Sequence, residues 1–255
     1  DPVMKGDFNG DGKEDLLVGA PQYYSDSINY AYRYDGNYYI YMGREVPVPG
    51  HDFSAPKPGN SPIETREFFY GQNNAIGDIN GDGYDDVLLG SSFFGRWPNG
   101  QGYDSLSNLY IYYGGPNFAF TWGGHSRKFT SLFDTRSFLS GWCQGTHLGV
   151  VDVNGDGTDD LCMPLFKNDG TENYHTCVHF GKPGEIDTIP NLVFTRASNT
   201  VGTDEKGYEI GDLNGDGWGD ILFTAGQDLT TFRLGGPRVS NTNMTGIRGF
   251  SGVQI

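Results

Sequence analysis

Basic residues are scarce in this chain. Lys and Arg number 17 against 32 Asp and Glu, and the formal net charge is −15. Nothing gathers the few basic residues into a stripe that would displace phosphate counterions, which excludes nucleic acid as the partner. Cysteine is almost missing. Cys143, Cys162 and Cys177 allow one bridge and one thiol, or three thiols, and they do not decide the redox compartment. Cys162 and Cys177 fall on adjacent predicted strands and are the pair to test. No apolar run approaches the length of a membrane-spanning helix, so no membrane insertion is expected. No secretory signal stands at the N-terminus, as in a mature chain or one that never had a leader. Glycine-rich phosphate loops and low-complexity linkers are lacking too. Only 36% of the residues are hydrophobic, many of them aromatic, while Gly reaches 40. That balance points to many short strands and many turns, in a chain long enough for one large core or two small ones.

What is present is a ten-residue stretch in four copies. They are Gly6-Asp7-Phe8-Asn9-Gly10-Asp11-Gly12-Lys13-Glu14-Asp15, then 77–86, 151–160 and 211–220. Each contains D-x-N-G-D-G-x-x-D, numbered here 1 to 9, followed by an apolar run. Side-chain oxygens at positions 1, 3, 5 and 9 can curl around one hard cation. The position 7 carbonyl adds another oxygen, and Gly at position 6 permits the sharp turn. Oxygen-only ligation on a flexible loop favours Ca²⁺ over Zn²⁺ or Mg²⁺. The four expected ligand sets are Asp7, Asn9, Asp11, Lys13 and Asp15; Asp78, Asn80, Asp82, Tyr84 and Asp86; Asp152, Asn154, Asp156, Thr158 and Asp160; and Asp212, Asn214, Asp216, Trp218 and Asp220. Four bound Ca²⁺ would bring the formal charge from −15 to about −7, so metal sites account for much of the acidity.

Asp, Asn and Gly are ordinary turn formers, and a single copy would need no other reading. Four copies in one register do. An EF-hand is excluded, because its loop needs a Glu at position 12 and a helix on each side. Position 12 here is Val18, Leu89, Met163 and Phe223. The residues after each loop are short apolar runs ended by Gly, Pro or small polar residues, which read as buried strands.

The repeat extends past the loop. A second strand recurs as 38–43, 109–114, 176–181 and 230–235, always ending in Gly. Alternation puts Ile40, Ile111, Val178 and Phe232 on one face and Tyr41, Tyr112, His179 and Arg233 on the other. A strand precedes the last three loops at 74–76, 147–150 and 208–210. The ends 3–4 and 250–255 resemble the same strand. Phe118-Ala119-Phe120-Thr121 and Leu192-Val193-Phe194-Thr195 are candidate fourth strands. The first aspartates stand 71, 74 and 60 residues apart. Four-stranded units in tandem at this period predict an all-β fold, a β-propeller of antiparallel four-stranded blades. No domain boundary is visible, so residues 1–255 read as one propeller region.

The run from Gly6 to Pro21, G-D-x-N-G-D-G-x-x-D-L-L-V-G-A-P, resembles the FG-GAP repeat of integrin α-subunit propellers and their bacterial and fungal relatives. The resemblance extends over essentially the whole chain. It implies one Ca²⁺ in the loop between the first and second strands of each blade, about four in all. Val151 replaces the Gly before the third loop, and Pro164 replaces the Gly found at Gly19 and Gly90. Integrin-type propellers usually have seven blades; this chain holds four, which either close a small ring or belong to a larger one.

The connection after the second strand is very unequal among the blades. It runs 21–37 in the first with Tyr23, Tyr24, Tyr30, Tyr32 and Tyr34, and 91–108 in the second with Arg96, Trp97 and Tyr103. Strand direction puts these loops on the rim opposite the acidic loops, and the resemblance implies that this rim binds ligand. Tyr23, Tyr24, Tyr32, Tyr34, Arg96, Trp97 and Tyr103 are the candidate ligand-binding residues, of the types that dominate interface hot spots. Equally, long loops can fold back over blade edges. Enzyme signals are weak. Cys143 with His147 lacks a placed base, His175 and His179 share a strand rather than a helix, and Asp104, Asp134 and Glu172 form no pair. His51 and His125 read as solvated. The sequence therefore favours a non-enzymatic, extracellular, calcium-stabilised recognition or adhesion module for protein or glycan. Its rivals are a lectin, a structural subunit of an extracellular assembly, and an accessory part of a carbohydrate-active enzyme.

Overall fold

The computed structural model describes residues 3–20, 37–54, 66–96, 103–121, 124–130, 137–138, 148–167, 173–196, 210–225, 229–237, 239 and 246–248. Every regular element among them is a β-strand, and the strands form four antiparallel sheets. The first sheet orders β1 (Val3–Gly6), β2 (Asp15–Ala20), β3 (Asn37–Tyr41) and β4 (Phe53–Ser54). The second orders β5 (Arg66–Gly77), β6 (Asp86–Arg96), β7 (Tyr103–Tyr112) and β8 (Arg127–Thr130). In the third, β9 (Ser137–Phe138) adds to β11 (Asp160–Lys167), which also pairs with β10 (Gly149–Val151) and β12 (Asn173–His179); β13 (Leu192–Arg196) closes the order. The fourth orders β14 (Ile210–Gly211), β15 (Asp220–Ala225), β16 (Leu229–Arg233) and β17 (Gly246–Arg248). Each acidic loop joins the first and second strands of this meander.

The chain divides into two compact units, residues 1–77 with 82–131, and residues 78–81 with 132–255. In the first unit, Leu17, Tyr38 and Ile40 of the first sheet pack with Val87, Leu89, Tyr110 and Tyr112 of the second, and Phe8 and Phe120 complete the buried cluster. A sheet buried on both faces explains why Val87-Leu88-Leu89 is a continuous apolar run instead of an alternating one. It also explains why Tyr112 and His179 are buried although they face away from the buried Ile111 and Val178. In the second unit the cluster is Val153, Cys162, Val178, Leu192 and Ile221.

Two expectations change. Phe118–Thr121 is not a strand. Phe120 instead stacks on Tyr112 with ring centroids 4.7 Å apart, and Phe118 lies 5.3 Å from the Phe8 ring, so their alternation serves the core. The fourth strand of that sheet is β8, which pairs Lys128 with Tyr110. Residues 91–108 are not one long connection, because β6 and β7 stay in register out to Arg96 opposite Tyr103. The Pro98-Asn99-Gly100 turn formers leave only a short stretch between the two strands. The C-terminal segment 250–255, Cys143 and His147 lie outside the described residues.

Cys162 stands opposite Val178 and Cys177 opposite Met163, so the two thiols leave opposite faces of the sheet. Both are free and buried, so the pair singled out for testing forms no bridge. Burial raises both thiols, Cys177 to about 12. His125 is not simply solvated; its ring lies 5.0 Å from that of Tyr110.

Candidate metal centres

The loops repeat in geometry as they do in sequence. Gly at positions 4 and 6 has positive φ in every copy, from 69° at Gly81 to 92° at Gly217. Position 6 was the expected turn, and position 4 is a second one. Two left-handed glycines wrap the backbone around the position 1 carboxylate. Asp7 Oδ1 accepts the Gly10 and Asp11 N–H groups at 2.8 and 3.1 Å, and Oδ2 accepts Gly12 N–H at 2.8 Å. Asn9 Oδ1 accepts Asp11 N–H at 3.0 Å, and Asp11 Oδ1 accepts Lys13 N–H at 2.9 Å. Asp152 and Asp212 collect the same three N–H groups in the third and fourth loops. Asn154, Asp156, Asn214 and Asp216 repeat the rest of the set. In the second loop Asp82 accepts Tyr84 N–H at 3.0 Å.

Position 9 differs from positions 1, 3 and 5. Asp15, Asp86, Asp160 and Asp220 are fully buried. Asp15 takes Phe8 N–H on one oxygen and Gly43 N–H on the other. Asp160 holds Val153 and Gly181 in the same way, and Asp220 holds Leu213 and Gly235. Asp86 holds Gly114. This side chain thus ties its loop to the Gly that ends the third strand, which gives that recurring Gly its reason. A Cβ on Gly43 would collide with the Glu14 carbonyl, 2.6 Å away. Burial, reinforced by the Asp156 and Asp152 charges, raises Asp160 to about 7 despite its backbone hydrogen bonds. Asp15 is raised for the same reasons, burial first.

Among the described residues no three His, Cys, Asp or Glu side chains converge at metal-binding distance. The donor set nevertheless suits a hard cation. Position 1 and 5 carboxylates are exposed or only half-buried, as is the position 3 Asn except for the buried Asn80, each carboxylate has about four acceptor sites, and the hydrogen bonds above use only some of them.

Consecutive loops are also joined. Asp85, at position 8, accepts Asp7 N–H at 2.7 Å and returns its own N–H to the Asp7 carbonyl at 3.2 Å. Asp159 does the same with Asp78. This position was not singled out from the sequence; its acidic character in three of the four copies was the available signal.

Comparison with known proteins agrees with this geometry. The FG-GAP repeat family profile matches residues 3–41 and 70–112, the first three strands and the loop of each of the first two sheets. Those two stretches are similar to FG-GAP repeats. Integrin alpha-5 of Xenopus laevis is 24% identical over 242 residues, 92% of this chain and 20% of that protein. Mouse integrin alpha-8 is 31% identical over 168 residues, 64% of this chain and 14% of that protein. Integrin alpha-PS3 of Drosophila melanogaster is 33% identical over 116 residues, 45% and 9% respectively. The chain spans a fifth or less of the length of these relatives. The third and fourth loops lie beyond the FG-GAP match yet keep the hydrogen bonds of the first.

Of the candidate ligand-binding residues, Arg96 and Tyr103 stand opposite one another at the far end of β6 and β7. Tyr23, Tyr24, Tyr32, Tyr34 and Trp97 lie outside the described residues. No helix among the described residues is long and apolar enough to cross a membrane.

Proposed function

We propose that residues 1–255 form one FG-GAP propeller region, and that it is an extracellular, Ca²⁺-stabilised recognition or adhesion module which performs no chemistry of its own. The recurrence of one oxygen-lined loop in one hydrogen-bonded form supports this reading most. In each loop the carboxylates at positions 1 and 5, the Asn at position 3, the position 7 carbonyl and the position 9 carboxylate would hold the ion. The ion supplies charge neutralisation. At about 4 Å each carboxylate pair repels by roughly 1 kcal/mol in water and 4 kcal/mol at an effective dielectric of 20.

The loop ends are tied to the strands through the position 9 carboxylate, so holding the loop holds the first three strands of its sheet. The opposite rim, where β6 and β7 end at Arg96 and Tyr103, is the face we assign to an extracellular protein or glycan. Tyr23, Tyr24, Tyr32, Tyr34 and Trp97 belong to that assignment. The module needs no nucleic acid and no membrane insertion. Thermal unfolding with calcium and with a chelator tests the reading. A site occupied at about a thousand times its Kd adds roughly 4 kcal/mol. Equal melting temperatures and equal protease resistance in the two buffers would end it.

A further inference from the structure

The chain contains five Asn-Gly pairs, and four of them stand at positions 3 and 4 of the acidic loops: Asn9-Gly10, Asn80-Gly81, Asn154-Gly155 and Asn214-Gly215. The fifth, Asn99-Gly100, lies outside the described residues. Such a pair can react with itself. The glycine nitrogen, once it has lost its proton, attacks the Asn side-chain carbon Cγ. A bond from that nitrogen to Cγ forms, the Cγ–Nδ2 bond breaks, and Nδ2 leaves as ammonia with the lost proton. A cyclic imide remains. Water opens it at either carbonyl, giving Asp or iso-Asp, and iso-Asp carries an extra methylene in the backbone. Glycine favours the reaction, because no Cβ shields its nitrogen and its backbone turns freely.

The folded loop ties down both reacting groups. Gly10 N–H donates to Asp7 Oδ1 at 2.8 Å, Gly155 N–H to Asp152 Oδ1 at 2.6 Å and Gly215 N–H to Asp212 Oδ1 at 2.7 Å. An amide is a far weaker acid than a carboxylic acid, so the proton stays on the nitrogen. The same bond fixes the peptide plane, whereas attack needs the face of that plane turned toward Cγ. The Asn side chain is held as well. Oδ1 of Asn9, Asn154 and Asn214 accepts the N–H of Asp11, Asp156 and Asp216 at 3.0, 2.8 and 2.9 Å, which points the amide toward the next residue but one. Gly81 shares the left-handed backbone of the other three, with φ of 69°.

We propose that Asn9, Asn80, Asn154 and Asn214 are latent sites of deamidation and isomerisation, guarded by the position 1 carboxylate for as long as the loop stays closed. A loop that opens long enough for the ring to form is changed for good. The methylene that iso-Asp adds shifts the N–H groups of positions 4, 5 and 6 relative to the position 1 carboxylate, so the wrapped form is not regained. The inference rests on hydrogen bonds within each loop and stands whether or not an ion is held there.

Peptide mapping by mass spectrometry of the full chain, aged at mildly alkaline pH, tests it, with enzymatic methylation of iso-aspartyl groups as a second readout. In calcium-containing buffer the wild-type chain should convert each loop Asn at least about tenfold more slowly than the same chain unfolded in urea, since ring closure waits for local opening. Asp7→Ala, checked for folding by circular dichroism, should speed conversion at Asn9, while Asn154 and Asn214 of the same molecules keep their wild-type rates. Equal rates at the loop sites in folded and unfolded wild-type chain would overturn the proposal. So would a folded Asp7→Ala chain in which Asn9 reacts no faster than in wild type. Should that variant fail to fold, the wild-type comparison decides alone.

Discussion

Val151 sits where Gly219 leaves room for it. A Cβ added to Gly219 would collide with both methyl groups of Val151. In the corresponding joint of the first unit the sizes are reversed: Gly6 precedes the loop, and the Asp85 carboxylate lies 2.8 Å from where a Gly6 Cβ would be. The third repeat therefore departs from the pattern at Val151, and the fourth repeat compensates with Gly in place of an acid at position 8. Gly219→Asp should destabilise the fold by about 1–3 kcal/mol through overpacking. Adding Val151→Gly should recover much of it, since the introduced carboxylate could then accept the Asp152 N–H as Asp85 accepts that of Asp7. Chemical denaturation of the two single variants and the double variant reads the coupling, expected at about 0.5–3 kcal/mol.

Gly10 and Gly215 allow backbone and contact effects to be separated. Both hold left-handed backbone, with φ of 73° and 77°. Gly10→Ala and Gly215→Ala should each lose about 1–2 kcal/mol from that conformation alone. Only Gly10 lies beneath a ring, that of Tyr84. Its substitution should cost about 1–3 kcal/mol more, and equal losses in urea unfolding would dismiss the packed joint.

Much of this was legible in the residues. Four copies of one acidic loop, each followed by an apolar run and later by a strand ending in Gly, predict the four meanders and the place of each loop. Less legible was what one sheet does to the next. Phe118 and Phe120 have the spacing of a strand because both pack on aromatic rings of the core, and one-dimensional periodicity does not separate these causes. Ser91 to Arg96 looked like loop because its small polar residues hide a ladder that only the partner strand, from Tyr103, makes evident. The buried side chain of His179 could not be read either, since its polarity suggests solvent while the neighbouring elements remove it.

His179 should make stability depend on pH. Burial lowers its pKa to about 4, and Nδ1 lies 2.9 Å from the Asp187 carbonyl, to which the neutral ring donates. The unfolded chain takes up this proton near pH 6.5, the folded chain only near 4. Below pH 6.5 the unfolded state thus binds more protons, so stability falls as pH drops through that window and is intact above it. The full loss is roughly 3 kcal/mol. Denaturation of wild type and His179→Gln between pH 4 and 7 should show the variant's slope reduced by this one proton. Parallel slopes would place the ring in water.

Asp7→Asn and Asp212→Asn each remove one loop charge at position 1, where the remaining amide oxygen can still accept the first two backbone N–H groups and only the Gly12 or Gly217 N–H loses its acceptor. Each variant should keep its fold, lose calcium binding at one loop only, and lose up to about 4 kcal/mol of calcium-dependent stability under saturating calcium. The calcium-dependent shift in melting temperature, compared with wild type, measures this. A full wild-type shift in both variants would remove position 1 from the ligand set.

Calorimetric titration of the calcium-free chain with Ca²⁺ tests the central claim most directly, because it returns stoichiometry and affinity together. The four equivalent loops predict saturable binding of about four ions per chain, at an affinity that keeps them filled at the calcium levels outside cells. Absence of saturable heat, or a stoichiometry that stays unchanged when Asp7 and Asp212 are both replaced by Asn, would contradict it.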